Sequence, residues 1–329
     1  MHKSGETPRT VRARWGELTL QLVTDPRMRP WAEVEASELL LARYAAIEKG
    51  DRVLVWPAGH GGLVILAARR SDPERVMACD VHWVAARVCE ENLARYGLPG
   101  VRVRCDPPQV DDGPFDVILL SLPKGRATQR LYVALAHELL RPGGRLYVAG
   151  ANAAGAKSAF RELETLFQPL GVLGYKGGHR AAVFERNADQ GLEGAFAEPG
   201  IAPGTWRAFE WEVAGRQHRA KTTAGVFSWE HLDPGTALLL EAVSIPADVR
   251  VLDLGCGWGA IGVHAAGQAH AGNVTLVDVN ALAVRSAGET LHANGIENAR
   301  VVLGDGAKAA GPGPYDLVLS NPPFHRGHG

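Results

Sequence analysis

Asn321-Pro322-Pro323-Phe324 is the stretch of this sequence best suited to chemistry. Proline lacks an N–H donor and fixes φ at about −65°. Two in a row stiffen a short loop and leave the Pro322 carbonyl free to point at a substrate. The Asn321 amide oxygen is a second acceptor. Together the two oxygens can accept both hydrogens of an exocyclic amine. On an aromatic amine the nitrogen lone pair is delocalised into the ring. Acceptors that draw the N–H bonds out of plane localise that pair toward an electrophile. Phe324 adds a flat face for a base, a contact worth roughly 1–3 kcal/mol.

A site for the electrophile lies upstream in DLGCGWG, residues 253–259. Gly255, Gly257 and Gly259 permit positive φ and a close backbone approach to a ligand. Gly255-x-Gly257-x-x-Ala260 also satisfies the dinucleotide fingerprint, so the loop alone leaves two ligands open. Charge separates them. A pyrophosphate wants amide donors at a helix N-terminus. S-adenosylmethionine (SAM) brings a sulfonium and an ammonium, which suit carboxylates. Asp253, two residues before Gly255, is placed to face an amino group. Asp278 ends the next strand, where a carboxylate can accept from both ribose hydroxyls. Asp305, in VVLGDG, ends a third strand and can accept from the adenine amine. Three acids at successive strand ends fit a cationic nucleoside better than a pyrophosphate. Cys256 reads as a packing residue and Trp258 as a wall near the cofactor.

The elements that must hold these residues occur twice. VLVWPAGHGG begins at Val53 and VLDLGCGWGA at Val251, 198 residues later. Asp80 and Asp278 keep that spacing, as do Gly97 and Gly295, while FDVILLSLP at Phe115 and YDLVLSNPP at Tyr315 are 200 apart. SELLLARYA at Ser37 sits over GTALLLEAV at Gly235. Matches at a nearly constant offset indicate duplicated domains. Each copy alternates short β-branched runs with Ala-rich helical segments, the pattern of a parallel sheet covered on both faces. In the first copy, helix 131–140 ends at RPGG, a strand follows, then a further helix and a closing strand pair in GYKGGHRAAVFER. Residues 187–204 are rich in Gly, Ala and Pro without periodicity and read as a linker. After them, alternation around Gly215 predicts a hairpin. The expected organisation is therefore a domain over 1–186, a linker over 187–204 and a second domain over 205–329.

Composition bounds the function classes. The chain has 329 residues, 46% hydrophobic and 22% charged, with a formal net charge of −1. Without a global basic excess, any nucleic-acid contact has to come from a local patch. Cys79, Cys89, Cys105 and Cys256 show no C-x-x-C spacing, which argues against a zinc or disulfide framework and for a reducing cytoplasm. No metal is expected. No signal peptide or membrane-length apolar run is present.

With GVFSWEHLDPGTALLLEA, VLDLGCGWG, LVDVN and SNPPFH on the page, the sequence resembles the class I SAM-dependent methyltransferases. More narrowly, it resembles the small-subunit ribosomal RNA guanine-N2 methyltransferases of the RsmC type. The resemblance covers nearly the whole chain and is strongest over about 225–325. It implies two tandem Rossmann-like domains, the first degenerate. It also implies methyl transfer from SAM to the exocyclic N2 of a guanine in 16S rRNA, with the small ribosomal subunit as partner. Carried over, Gly255, Gly257 and Gly259 form the cofactor loop, Asp253 faces the methionine moiety, Asp278 the ribose and Asp305 the adenine. Asn321 and the Pro322 carbonyl orient the amine, Phe324 stacks on the base, and Asp233 and Thr236 close the cofactor site.

The first copy departs from that pattern. Val55 stands for Asp253, PAGHG for GCGWG and LPKG for NPPF, while Asp80 survives. It is expected neither to bind SAM nor to catalyse, and to serve as scaffold and RNA contact. Lys124 and Arg126 beside its former catalytic corner, and Arg216, Arg219 and Lys221 in the second domain, are the expected basic contacts. The first copy continues from Arg126 to Arg186, whereas the second has few residues after SNPPFH, so its C-terminal strands are expected to be missing. Two other readings stay open: an amine methyltransferase acting on adenine N6 or a glutamine amide, and a non-catalytic RNA-binding or assembly factor.

Overall fold

The computed structural model describes residues 9–28, 32–188 and 190–322. The chain forms two compact units, residues 1–203 and 204–329.

The first unit opens with a hairpin, β1 (Thr10–Trp15) and β2 (Leu18–Val23). Then come α1 (Ala36–Tyr44), β3 (Val53–Trp56), α2 (Gly62–Arg70), β4 (Val76–Cys79), α3 (Trp83–Arg95), β5 (Arg102–Arg104) and β6 (Phe115–Ser121). They are followed by α4 (Arg126–Leu139), β7 (Leu140–Ala151), α5 (Ala156–Leu163), β8 (Phe167–Lys176) and β9 (His179–Arg186). The sheet order is β5-β4-β3-β6-β7-β9-β8, and only β9 runs antiparallel to its neighbours. All four residues of β3 are buried, as a strand covered on both faces requires. The strand order reverses between β3 and β6, which places the ligand crevice of such a sheet at their carboxyl ends.

The second unit repeats the plan: hairpin β10 (Arg207–Val213) and β11 (Arg216–Thr222), α6 (Pro234–Ala242), β12 (Arg250–Leu254), α7 (Ala260–Gln268), β13 (Asn273–Asp278), α8 (Ala281–Ala293), β14 (Ala299–Leu303), α9 (Gly306–Ala309) and β15 (Leu317–Leu319). Its described strands pair in the order β14-β13-β12-β15, all parallel. Helices α1, α2 and α3 match α6, α7 and α8 residue for residue at the 198-residue spacing. The tandem Rossmann-like α/β architecture is as expected.

Three features sharpen the sequence reading. The hairpin at Thr10–Val23 has a counterpart in the second unit, so the duplicated module starts earlier than Ser37. Most of the 187–204 segment joins the first unit, which extends to residue 203: the turn Gly194–Phe196 packs on α4, and Phe196 and Ile201 are buried. Helix α4 begins at Arg126, and the RPGG residues belong to β7, where they bulge out between the Phe115↔Leu140 and Val117↔Arg145 pairings.

Each hairpin is fastened to its unit along one strand edge. In the first, the Asn92 amide accepts from Val23 N–H (2.8 Å) and donates to its carbonyl (2.9 Å), while the Tyr96 hydroxyl takes the Gln21 N–H (2.9 Å). In the second, Thr290 meets both backbone groups of Lys221 (3.0 and 3.1 Å), and Asn294 those of Arg219 (3.0 and 2.6 Å). Position 92 corresponds to 290 and 96 to 294. The same edge groups are satisfied by different side chains, because a buried strand edge cannot leave its amides unpaired.

Candidate functional site

Helix α6 starts on Asp233, whose carboxylate accepts the Thr236 N–H at 2.9 Å as an N-cap. The same Oδ2 also accepts from Asn321 Nδ2 at 2.8 Å, and Thr236 Oγ1 accepts from that nitrogen at 2.8 Å. Gly235 leaves room for this approach: a Cβ there would lie 3.0 Å from Asp233 Oδ2 and 3.7 Å from the Asn321 amide. Both N–H donors of Asn321 are thus engaged, which assigns its amide orientation through the network. Its Oδ1 is the atom left for a further donor. Pro322 follows, exposed and without an N–H. Phe324 lies outside the described residues.

Beneath this corner, β12 delivers Asp253 to the sheet's carboxyl edge. Asp253 is fully buried, and among the described residues neither carboxylate oxygen has a well-formed hydrogen bond, the Gly262 amide being its only donor of note. Burial pushes its carboxyl up to about 8; the Gly262 amide opposes this and the Asp278 carboxylate adds to it. A buried carboxyl of this kind is suited to pairing with a cation. Beyond it the loop opens: Gly255 and Gly257 sit at φ +77° and +55°, and a Cβ at either would meet nothing within 4 Å. At Gly259, with φ +92°, a Cβ would instead come within 3.2 Å of Ala287, so its absence seats α7 on α8.

Asp278 shapes the loop. Its Oδ2 accepts Gly257 N–H and its Oδ1 accepts Asn280 N–H, both at 2.9 Å. Asp305 stands at the N-cap of the short α9, half-buried, without capping it through its side chain. Trp258 is 3% exposed, donates to the Ser228 carbonyl (3.1 Å) and meets Phe209 and Trp211 edge to face. It locks the hairpin to the loop, a role for which its sequence position gave no signal.

An unsatisfied buried acid, an open glycine cradle and an oriented amide acceptor suit a cationic nucleoside and an amine donor. A pyrophosphate has no use for Asp253. Comparison with known proteins agrees. The model of the methyltransferase small domain family matches residues 19–181 and 217–329. The chain belongs to that family. Among curated proteins, the ribosomal RNA small subunit methyltransferase C of Pseudomonas entomophila strain L48 is 37% identical over 214 residues, 65% of this chain and 61% of the relative. The protein of the same name from Stutzerimonas stutzeri strain A1501 is 37% identical over 222 residues, 67% of this chain and 62% of the relative. The chain thus spans about three fifths of the curated relatives' length. The structure of T. thermophilus 16S rRNA N2 G1207 methyltransferase (RsmC) in complex with AdoMet and guanosine matches 97% of this chain and 81% of that one, with a TM-score of 0.76 and 27% identity.

In this methyltransferase-domain protein the first copy keeps the loop and has filled its cradle. Asp80 repeats the Asp278 geometry, accepting Gly59 and His82 N–H at 3.0 and 2.9 Å. Position 59 corresponds to the open Gly257, yet a Cβ at Gly59 would lie 2.9 Å from Glu38 Oε1. Glu38 occupies the place of Thr236. It is held up to about 8 by burial, with Glu35 and Asp80 adding to the shift. Val55, at the Asp253 position, is fully buried. Strand register also moves one comparison: Val55 pairs with Leu119 as Asp253 pairs with Leu319, so Ser121 stands where Asn321 does.

The expected basic contacts are largely occupied. Arg126 and Arg130 share Glu162 at 2.5 and 2.8 Å, leaving Lys124 exposed beside them. Lys221 pairs with Glu289 at 3.2 Å, Arg219 with Glu210 at 3.4 Å, and Arg216 donates to the Gly267 carbonyl at 3.0 Å. No described helix is long and apolar enough to cross a membrane.

Proposed function

We propose that the second unit carries out SAM-dependent methylation of the exocyclic N2 of a guanine in 16S rRNA, on the small ribosomal subunit in the bacterial cytoplasm. The observation that carries this reading is the Asp233–Thr236–Asn321 network. It commits both Asn321 N–H donors and leaves Oδ1 as the acceptor for an amine. The names of the curated relatives, and the guanosine and AdoMet of the T. thermophilus structure, support the choice of substrate and cofactor.

SAM, when bound, supplies an electrophilic methyl on a sulfonium. Asp253 neutralises the ammonium of its methionine moiety, and the missing side chains at Gly255 and Gly257 let the ligand lie against the backbone. Asp278 holds the loop and accepts from the ribose; Asp305 accepts from the adenine amine. Asn321 Oδ1 and the Pro322 carbonyl receive the two amine hydrogens and aim the nitrogen at the methyl, while Phe324 stacks on the base. Asp233 and Thr236 act as positioning residues, not as a lid on the cofactor. The first copy, with Val55 and Glu38 in its cradle, takes no SAM.

The test is methyl transfer from labelled SAM to 16S rRNA and to small subunits, followed by digestion and nucleoside identification. N2-methylguanosine is expected. N6-methyladenosine would move the reading to another amine, and SAM binding without transfer to any RNA would favour an assembly factor.

A further inference from the structure

The first unit has a second feature that the degenerate cofactor corner does not explain. A cleft of about 650 Å³ opens between the hairpin turn, α1 and the end of β8. Its lining includes Arg14, Arg43, Tyr44, Arg70, Tyr175 and Lys176, with Glu17 as its single acid. Arg70 is spent internally: it pairs with Glu17 at 2.6 Å and donates to the Ala42 and Ala45 carbonyls. Arg43 and Lys176 are exposed, and among the described residues neither meets a carboxylate. Arg14, also exposed, donates only to the nearby Gly16 carbonyl at 3.0 Å.

The duplication supplies a control for these charges. At the 198-residue spacing, Arg12, Arg14 and Arg43 correspond to Glu210, Glu212 and Glu241. The strand positions are equivalent in exposure as well, all four lying on the outer face of their hairpins. Across the strands, Arg12 faces Gln21 and Arg14 faces Thr19, whereas Glu210 faces Arg219 and Glu212 faces Gln217. One hairpin fold therefore accepts either sign here, and folding does not select arginine. What the reversal changes is the potential outside the molecule.

Packing holds the cleft in shape. The Tyr44 ring lies directly on the β8 backbone at Gly174, where a Cβ would come within 2.7 Å of its hydroxyl. That fixes the base of Arg43, whose guanidinium sits 5.3 Å from the Tyr44 ring centroid. Tyr175 is 64% exposed at the rim, with the Arg180 guanidinium 5.4 Å from its centroid. Unpaired cations beside an exposed ring are the combination that tracks a nucleic-acid backbone and stacks a base.

We propose that this cleft of the first unit binds the phosphodiester backbone of the substrate RNA through Arg14, Arg43 and Lys176, with Arg12 extending the basic face along the hairpin. The proposal rests on the reading of the chain as an RNA methyltransferase for the identity of its ligand. It moves the RNA contact of the first unit from the Lys124–Arg126 corner, where Glu162 cancels the arginine, to the hairpin and β8.

Two full-chain variants test it: Arg14→Glu with Arg43→Glu, which installs the charges of the second copy, and Arg43→Ala with Lys176→Ala. Binding of a fluorescent 16S rRNA fragment is measured by anisotropy across salt, beside a SAM titration and a thermal melt. Both variants are expected to bind RNA at least about tenfold more weakly. The log–log salt slope should shallow by about 0.7–0.9 for each phosphate no longer neutralised. SAM affinity and melting should stay as in the wild type. RNA affinity within about twofold of wild type and an unchanged slope in both variants would overturn the site, even if guanine is methylated. Weakened RNA binding in a chain that methylates no RNA would keep the site and reject the methylation reading.

Discussion

Asn321 is useful only in one of its two amide orientations, and two side chains choose it. Asp233→Ala removes an acceptor from Nδ2 as well as the cap of α6, so the amide is freed to flip. The kcat for methyl transfer should fall by about 10²-fold, with SAM affinity kept within a few-fold. Asn321→Ala should cost about 10²–10³-fold in kcat. A loss confined to KM in either variant would contradict these roles. Asp253 makes a prediction about protons. Raised to about 8 by burial, it is mostly protonated at neutral pH. A bound ammonium would pull it back toward ionisation, so SAM binding at pH 7 should release close to one proton per chain. Calorimetry in two buffers of different ionisation heat reads this directly, and buffer-independent heats would exclude it. Asp253→Asn should abolish the release and weaken SAM binding by about tenfold or more. The acids and Asn321 were legible from sequence, because strand ends and glycine turns are local patterns. The Asp233–Asn321 contact was not, since it joins residues far apart in the chain. The Asp-x-x-Thr spacing at 233–236 showed only a helix cap.

At the scale of elements, the two glycine loops share their backbone and differ in what fills them. Val55 at the Asp253 position is visible in the repeat itself, whereas the turn of the Glu38 side chain into the cradle depends on tertiary packing. That carboxyl is raised to about 8, so its stabilising neutral form is present at low pH and lost as pH rises from about 4 to about 8. Glu38→Gln should therefore flatten the melting temperature of the first unit between pH 5.5 and 8.5, a window over which the wild type should lose on the order of a few kcal/mol. Equal pH dependence in the two proteins would refute the burial of an ionisable Glu38. The hairpin clips make a second prediction. Asn92 is fully buried and holds both backbone groups of Val23, so Asn92→Ala should destabilise the first unit by about 1–3 kcal/mol in denaturant titration. The hairpin in TVRARWGELTLQLV went unrecognised from sequence, since the repeat is easier to see from Val53 onward, where glycines and strand ends coincide. Boundaries such as the Arg126 start of α4 depend on packing that local propensity does not encode.

For the molecule as a whole, duplication separates what the fold needs from what the chemistry needs. Both units retain the carboxylate that ties the loop to the second strand, Asp80 or Asp278, because it satisfies loop amides in either copy. Among the described residues, only the second combines Asp253 with open glycines and an oriented amide, whereas the first turns Glu38 against its loop. The two differ in charge at the hairpin and first helix, with Arg12, Arg14 and Arg43 in one copy against Glu210, Glu212 and Glu241 in the other. The net charge of −1 concealed this division, since basic and acidic faces cancel in the sum. Isothermal titration of the full chain with SAM tests the division most directly. One site per chain is expected, abolished or strongly weakened by Asp253→Asn and unaffected by Glu38→Gln. Two equivalent sites, or a single site that survives Asp253→Asn unchanged, would contradict it.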